Sequence, residues 1–178
     1  MSLRKKPTAA LYLCVLIGAQ AAPVLAQDPC AGFKWDVGRE RALFGSSAQE
    51  QAAGKDADTA PALAPNRLYR LRLLPRSQVT FVAPPAKEAP ATDTYAGLAA
   101  LQLPSSGSYR ISIDVPIWID VAANGRLVPA SDYEAAHGCD APRKIVVFDL
   151  DATRRLMLQL SAASQAVVRL TVTRVLVE

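Results

Sequence analysis

The sequence has one histidine and three cysteines among 178 residues, and it lacks the short motifs of well-known catalytic and nucleotide-binding sites. Neither G-x-G-x-x-G nor the Walker A pattern is present, so no glycine-rich phosphate loop is predicted. The pattern G-x-S-x-G is also absent, and His137 has no evident partner among the serines. The composition is 51% hydrophobic and 20% charged, which excludes wholesale disorder and a collagen-like repeat. The length predicts one main domain.

Residues 1–26 have the three parts of a secretory signal peptide. They begin with three basic residues at 4–6, continue with an uncharged run over 9–22, and end with aliphatic and small side chains at Val24 and Ala26. The alternative is a membrane anchor, because the apolar stretch over residues 8–26 is 19 residues long. The sequence favours a cleaved signal, and it therefore predicts a periplasmic or secreted protein.

The charge that remains after cleavage is close to zero. Residues 1–26 hold three of the 20 basic residues and none of the 16 acidic ones, which leaves 17 against 16 and a net charge of +1. A near-neutral surface gives no electrostatic reason to bind nucleic acid or an acidic membrane. No later stretch is long and apolar enough to span a bilayer, so the mature chain is expected to be soluble.

Two cysteines remain in the mature chain, Cys30 and Cys139. In an oxidising compartment an even number of cysteines indicates disulfide bonding, and two cysteines allow a single pairing. The alternative is a reactive thiol pair, but the spacing lacks the C-x-x-C pattern. The sequence therefore predicts a Cys30–Cys139 disulfide that ties the N-terminal region to a late loop.

Residues 27–66 differ in composition from the rest of the chain. Asp36 is expected to cap a short helix that continues to Phe44. Residues 48–65 are rich in Ala, Gln, Asp and Pro and have one large apolar residue, Leu63, which is typical of a flexible linker. We predict an N-terminal helix and linker over residues 27–66.

Residues 67–178 show the two-residue period of β-strands, without helix-length patterns between them. Asn124-Gly125 is the clearest hairpin signal, because both residues tolerate positive φ. Residues 131–142 are expected to form a loop. The fold class predicted is all-β, an antiparallel two-sheet sandwich of jelly-roll type. The predicted strands lie near residues 68–74, 79–82, 98–103, 109–113, 117–121, 126–128, 145–150, 156–160 and 167–177.

A series of short motifs runs through the second half of the chain. They are Gly107-Ser108-Tyr109-Arg110-Ile111, Trp118-Ile119-Asp120-Val121, Gly125, Cys139, Arg143-Lys144, Phe148-Asp149-Leu150 and Leu158-Gln159-Leu160. With this order, residues 67–178 resemble a group of small secreted proteins of Gram-negative bacteria with a β-sandwich of the pre-peptidase C-terminal type. Proteins of this kind sometimes carry the label homogentisate dioxygenase. A non-haem iron oxygenase needs two histidines and a carboxylate, and this chain has one histidine.

Trp118 and Asp120 are the candidate ligand-binding residues. Together they resemble an aromatic platform beside a carboxylate, which suits sugar binding or acid catalysis. The alternative is that Trp118 packs against the N-terminal region while Asp120 bonds to the hairpin or pairs with Arg143. Packing is the commoner use of a tryptophan on a strand.

The densest cluster of potential metal ligands lies within residues 132–140. Its carboxylates would suit Ca²⁺ and its histidine Zn²⁺. The spacing matches no known metal motif, and a bridged cysteine cannot bind metal as a thiolate, so a polar loop held by the disulfide is favoured. The cluster consists of Asp132, Glu134, His137, Cys139 and Asp140.

These observations predict a non-catalytic binding or structural module, with a protein or glycan as its partner and with no cofactor, metal or catalytic residue assigned. One alternative is a carboxylate-dependent hydrolase that uses Asp120 or the 132–140 loop. Another is a component of an envelope assembly that offers residues 68–74 as an edge strand. Exposure of Trp118 and Asp120 in a concave pocket would favour binding or catalysis over a structural role.

Overall fold

The computed structural model describes residues 28–87 and 93–176, and the predicted signal peptide lies outside them. Strands make up 46% of the structure and helices 10%, in two mixed six-stranded sheets that do not close into a barrel. This confirms the all-β, two-sheet fold class. Within the described residues, no helix has the length and apolar character needed to cross a membrane.

The helical elements lie in the first half of the chain, and the strands over residues 95–174 follow one another without a helix between them. One α-helix, α1, spans Gly38–Phe44, and short 3₁₀ turns span Pro29–Gly32 and Arg76–Gln78. The strands are β1 (Gln49–Ala52), β2 (Ala62–Leu63), β3 (Leu68–Arg72), β4 (Leu74–Pro75), β5 (Tyr95–Leu101), β6 (Gly107–Ile113), β7 (Trp118–Ala123), β8 (Arg126–Val128), β9 (Ala130–Ala135), β10 (Lys144–Leu150), β11 (Leu156–Ala163) and β12 (Val167–Arg174).

The two sheets face each other across one apolar core. The first sheet has the order β1-β3-β12-β6-β10-β9, and the second has the order β2-β5-β11-β7-β8, with β4 also pairing with β5. Strand β12 shows the predicted alternation, because Val168, Leu170 and Val172 are all buried in this core. The largest fully buried side chains include Tyr109, Phe148, Leu71, Ile111, Ile113, Leu156, Leu158 and Leu160.

Each sheet is also covered on its outer face, so the structure has two smaller apolar clusters. The N-terminal segment (residues 28–44) covers the first sheet, where Phe33 and Val37 pack with Ile145. The strap (residues 79–87) covers the second sheet, where Val79 packs with Leu98 and Met157. This double coverage explains why β10 and β11 are apolar on both faces.

The N-terminal segment is joined to the first sheet by a disulfide and a buried ion pair. Cys30 and Cys139 are bonded as predicted, with their Cα atoms 4.8 Å apart. Glu40 of α1 is buried, and its Oε1 accepts a hydrogen bond of 2.6 Å from the Thr173 hydroxyl of β12. Arg110 donates to the same oxygen at 3.4 Å and lies over the ring of Trp35. Trp35 therefore helps to dock this segment on the first sheet.

Residues 48–65, predicted to be a flexible linker, instead supply one strand to each sheet. Strand β1 pairs in parallel with β3, and β2 pairs in parallel with β5. These strands are joined through the backbone, which requires no large apolar side chains, so the composition gave no signal. They also make the sheets mixed rather than purely antiparallel.

Three other local predictions are corrected by the structure. Residues 68–74 are not an edge strand, because β3 is paired with β1 on one side and β12 on the other. Residues 131–142 are not all loop, because β9 pairs with β10. The predicted strand at 79–82 lies in the irregular strap, where a glutamine side chain replaces a neighbouring strand as hydrogen-bond partner.

The hairpin between β7 and β8 is confirmed at the predicted turn. Asn124 and Gly125 both have positive φ, at 52° and 75°. This backbone geometry matches the right-handed twist of the two strands it joins. The turn therefore fixes β8 against residues 121–123 of β7.

Candidate functional site

The sandwich is open along the edge formed by β8 and β9. The chain crosses from the second sheet to the first at Pro129, between these two edge strands. Strand β8 is short and pairs with β7 only over residues 121–123. The first half of β7 therefore has no partner on the β8 side, and a gap opens at this edge. Ile119 borders it from the inner face of β7, and Trp118 and Asp120 border it from the outer face.

A cavity of about 550 Å³ fills this gap and is mainly apolar. Its size is within the range of roughly 300–1,000 Å³ that is typical of ligand sites. The polar side chains that line it are Trp118, Asp120, Tyr133 and Lys144. The apolar wall consists of Ile119, Leu127, Val128, Pro129, Ala130, Ala135, Val146 and Phe148, with Ala86 of the strap beside them.

Trp118 and Asp120 are brought together on the outer face of β7, two residues apart. The indole Nε1 of Trp118 donates to Oδ1 of Asp120 at 3.0 Å. The backbone amide of Ala86 donates to Oδ2 at 3.1 Å. Both carboxylate oxygens therefore accept hydrogen bonds, which fix the orientation of the Trp118 ring and the end of the strap.

Asp120 works together with Gln159, its neighbour on β11, to hold the strap. The two residues are directly paired across β7 and β11. Oε1 of Gln159 accepts from the backbone amides of Val82 and Ala83 at 2.9 and 3.1 Å, and its Nε2 donates to the carbonyl of Ala83 at 3.1 Å. The strap is thus bound to the second sheet through its backbone, and it forms one wall of the cavity.

Two lysines approach the Trp118 ring. The Nζ of Lys144 lies 4.9 Å from the ring centroid, and that of Lys87 lies 5.6 Å from it. Lys144 comes from β10 of the first sheet and donates to the carbonyl oxygen of Ile117 at 3.2 Å. It therefore links the two sheets across the opening. Trp118 contacts these cations rather than the N-terminal segment, so the packing predicted for it is wrong.

Burial shifts the pKa values of the charged groups at the cavity. Asp120 is 7% exposed, and its desolvation raises the pKa of the carboxyl, although the bonds from Ala86 and Trp118 and the charge of Lys144 oppose the shift. Desolvation also lowers the pKa of Lys144, with the Asp120 carboxylate opposing and the Lys87 charge adding to the effect. Both shifts favour the neutral form of a buried group.

Three of the five residues in the 132–140 cluster are used for other contacts. Asp132 forms an ion pair with Lys34 at 2.6 Å, and Glu134 accepts a hydrogen bond from the Lys34 backbone amide. Cys139 is in the disulfide. Over residues 28–87 and 93–176, no three such side chains converge in a way that could hold a metal ion.

Asp120 does not pair with Arg143, since its partners are Trp118 and Ala86.

Sequence reasoning found Trp118 and Asp120 but missed Lys144, Tyr133 and the apolar wall. A signal was present for Tyr133, because polar Asp132 and Glu134 alternate with Tyr133 and Ala135 as in a half-exposed strand. The sequence around Lys144 gave no such signal, because its contacts with Ile117 and Trp118 depend on the approach of β10 to β7 in the folded chain.

The chain has no significant match among protein-family models, curated proteins or solved structures.

Proposed function

We propose that the mature chain is a non-catalytic binding module of the periplasm or the extracellular space, and that the cavity between β8 and β9 is its ligand site. The observation that carries this proposal is a mainly apolar cavity of about 550 Å³ with a few converging polar groups. Cavities of this size and character are typical of small-molecule binding. The Cys30–Cys139 disulfide is compatible with an oxidising compartment.

The lining favours a largely apolar small molecule over the protein or glycan partner predicted from the sequence. A glycan needs many hydrogen-bonding side chains, whereas Leu127, Val128, Val146 and Phe148 offer none. The Trp118 ring, which a sugar would need for stacking, is approached by the ammonium groups of two lysines.

The hydrolase alternative is less well supported by the same geometry. A catalytic carboxylate must lie within about 2.6–3.2 Å of the proton that it transfers, in an orientation set by the substrate. Both oxygens of Asp120 already accept hydrogen bonds, from Trp118 and from Ala86. These bonds make Asp120 a residue that positions the ring and the strap.

A neutral apolar fluorescent probe tests the binding site. N-phenyl-1-naphthylamine is expected to become fluorescent when added to the protein purified from an oxidising periplasm. The variant A135F should abolish this signal, because Ala135 lines the cavity at the exposed end of β9. The matched control is A62F, which makes the same change at an exposed alanine of β2 outside the cavity lining.

Two results would count against the proposal. One is the absence of probe fluorescence with the wild-type protein. The other is equal fluorescence with wild type, A135F and A62F, which would place the probe elsewhere on the surface. Far-ultraviolet circular dichroism of both variants confirms that they are folded.

A further inference from the structure

The charges at one end of the cavity distinguish between apolar ligands of different head groups. Lys144 and Lys87 bring two ammonium groups to the Trp118 ring, and Asp120 brings one carboxylate. Within the lining the charges of Lys144 and Asp120 balance, and the exposed Lys87 adds one positive charge beside the Trp118 ring. Opposite charges across an interface determine which partner is accepted, so a ligand with a single negative charge is favoured.

Lys144 has hydrogen-bonding capacity left for such a group. An ammonium has three donors, and the Lys144 ammonium donates one hydrogen bond, to the carbonyl oxygen of Ile117. Among the ion pairs of the described residues, none involves Lys144. The oxygens of Asp120 are directed to Trp118 and Ala86 instead. Lys144 is half-buried and has the Asp120 charge nearby but no ion pair, so an anion in the cavity would add a direct charge-assisted hydrogen bond to its ammonium group.

The rest of the cavity matches an alkyl chain. From Lys144 the lining continues along Val146 and Phe148 of β10, and across from them lie Leu127 and Val128. These side chains have no hydrogen-bonding groups, and burying apolar ligand surface against them is favourable. The site thus has a charged end and an apolar body.

We infer that the cavity binds a single-chain alkyl carboxylate, whose carboxylate pairs with Lys144 and whose chain lies against β8 and β10. This inference rests on the proposed function, since it names the ligand class of the same cavity. It differs from that proposal in requiring a charged head group and a specific cation.

The test is displacement of N-phenyl-1-naphthylamine by ligands that share a twelve-carbon chain and differ in head group. Dodecanoate is the proposed ligand, dodecanol is the neutral control, and dodecyltrimethylammonium is the cationic control. All are used below the concentrations at which they form micelles. Dodecanoate is expected to bind about tenfold or more tightly than dodecanol, because a charge-assisted hydrogen bond is stronger than a neutral one. The cationic ligand should bind most weakly.

A lysine variant then assigns the head group to Lys144. In K144M the preference for dodecanoate over dodecanol should fall to about onefold, because the cation that pairs with the carboxylate is removed. The matched control is K55M, which removes the charge of a lysine outside the cavity lining and should keep the preference. K144Q provides a second variant, because methionine also removes the hydrogen bond to the Ile117 carbonyl oxygen, whereas the glutamine side-chain amide is a possible donor to it.

Fluorescence of Trp118 locates the ligand independently. The chain has two tryptophans, so W35F leaves Trp118 alone. Dodecanoate should change the emission of W35F, because its carboxylate would lie beside Lys144, 4.9 Å from the ring. Calorimetric titration of the wild-type protein gives the same affinity without any substitution.

The outcomes separate the two proposals. If the probe does not bind, the proposed function fails. If the probe binds but dodecanoate, dodecanol and the cationic ligand displace it equally, the cavity is a ligand site and the carboxylate inference is wrong. A preference for dodecyl phosphate over dodecanoate, or an unchanged preference in K144M, would also overturn the inference.

Discussion

Loss of the Cys30–Cys139 disulfide is predicted to remove a large part of the stability of the fold. The bond joins residues 109 positions apart. In the chain-entropy model, a loop of this length contributes about 4.8 kcal/mol at 25 °C by restricting the unfolded chain. Single domains unfold with about 5–15 kcal/mol, so the double variant C30A/C139A should retain a small margin. Alanine suits both sites, because they are buried and it introduces no unpaired polar group.

Urea unfolding, followed by far-ultraviolet circular dichroism and by tryptophan fluorescence, measures this effect. The free energy of unfolding should fall by about 4–5 kcal/mol, which corresponds to a decrease in Tm of about 10–20 °C for a chain of this size. Adding a reducing agent to the wild-type protein should produce the same loss. The double variant should not respond to the reductant.

Comparison of the two probes shows whether the effect is global. If only the N-terminal segment detached, the fluorescence of Trp35 would change at a lower urea concentration than the circular dichroism of the sheets. A loss of less than about 1 kcal/mol, with the sheets unfolding as before, would refute the reasoning from loop length.

Three further predictions concern the core, the hairpin and the cavity. Leu158→Ala should lower the free energy of unfolding by about 2–5 kcal/mol in urea titrations, because Leu158 is fully buried in the central core. Gly125→Ala should cost about 1–2 kcal/mol in the same assay, because a φ of 75° is strained for alanine, although its methyl group has room. The pKa of Asp120, followed by NMR, should lie above 3.8 and rise further in K144M, since the lysine charge lowers it. Because the folded protein holds this proton more tightly than the unfolded chain, the contribution of Asp120 to stability should decrease as the pH rises from 3.8 through the raised pKa, and D120N should lack this dependence.

The parts of the fold that were predictable are those with strong local patterns. Asn124-Gly125 identified its hairpin because few other residue pairs tolerate positive φ at both positions. The alternation of Val168, Leu170 and Val172 identified β12 because one face of that strand is in the core. The disulfide followed from counting cysteines.

The parts that were missed have little local signal. Strand β1 reads Gln-Glu-Gln-Ala and is half or fully exposed, so its pairing with β3 rests on backbone hydrogen bonds. Strand β2 is two residues long. Such strands pair with the unpaired backbone groups at the edge of a sheet. The residues of β1 and β2 themselves give no sign that this edge exists.

The candidate site shows the same division. Trp118 and Asp120 are close in sequence and were recognised together, whereas Lys144 lies 24 or more positions later, on the facing sheet. The cavity exists because β8 ends early and β9 leaves for the other sheet. A void between two edges is a property of the tertiary arrangement, and no single segment determines it.

Gln159 recognises the strap by peptide groups alone, at the amides of Val82 and Ala83 and the carbonyl of Ala83. These hydrogen bonds do not depend on which side chains stand at positions 82 and 83, although Ala83 is itself buried. Replacing Gln159 with leucine would leave three polar backbone groups of the strap without their hydrogen-bond partner. The same substitution would also weaken the hydrogen bond from the Ala86 amide to Asp120, because Ala86 lies three residues farther along the strap. Asp120 in turn orients Trp118 beside the cavity. Gln159 of β11 thus affects the shape of the cavity although it is not among the residues that line it.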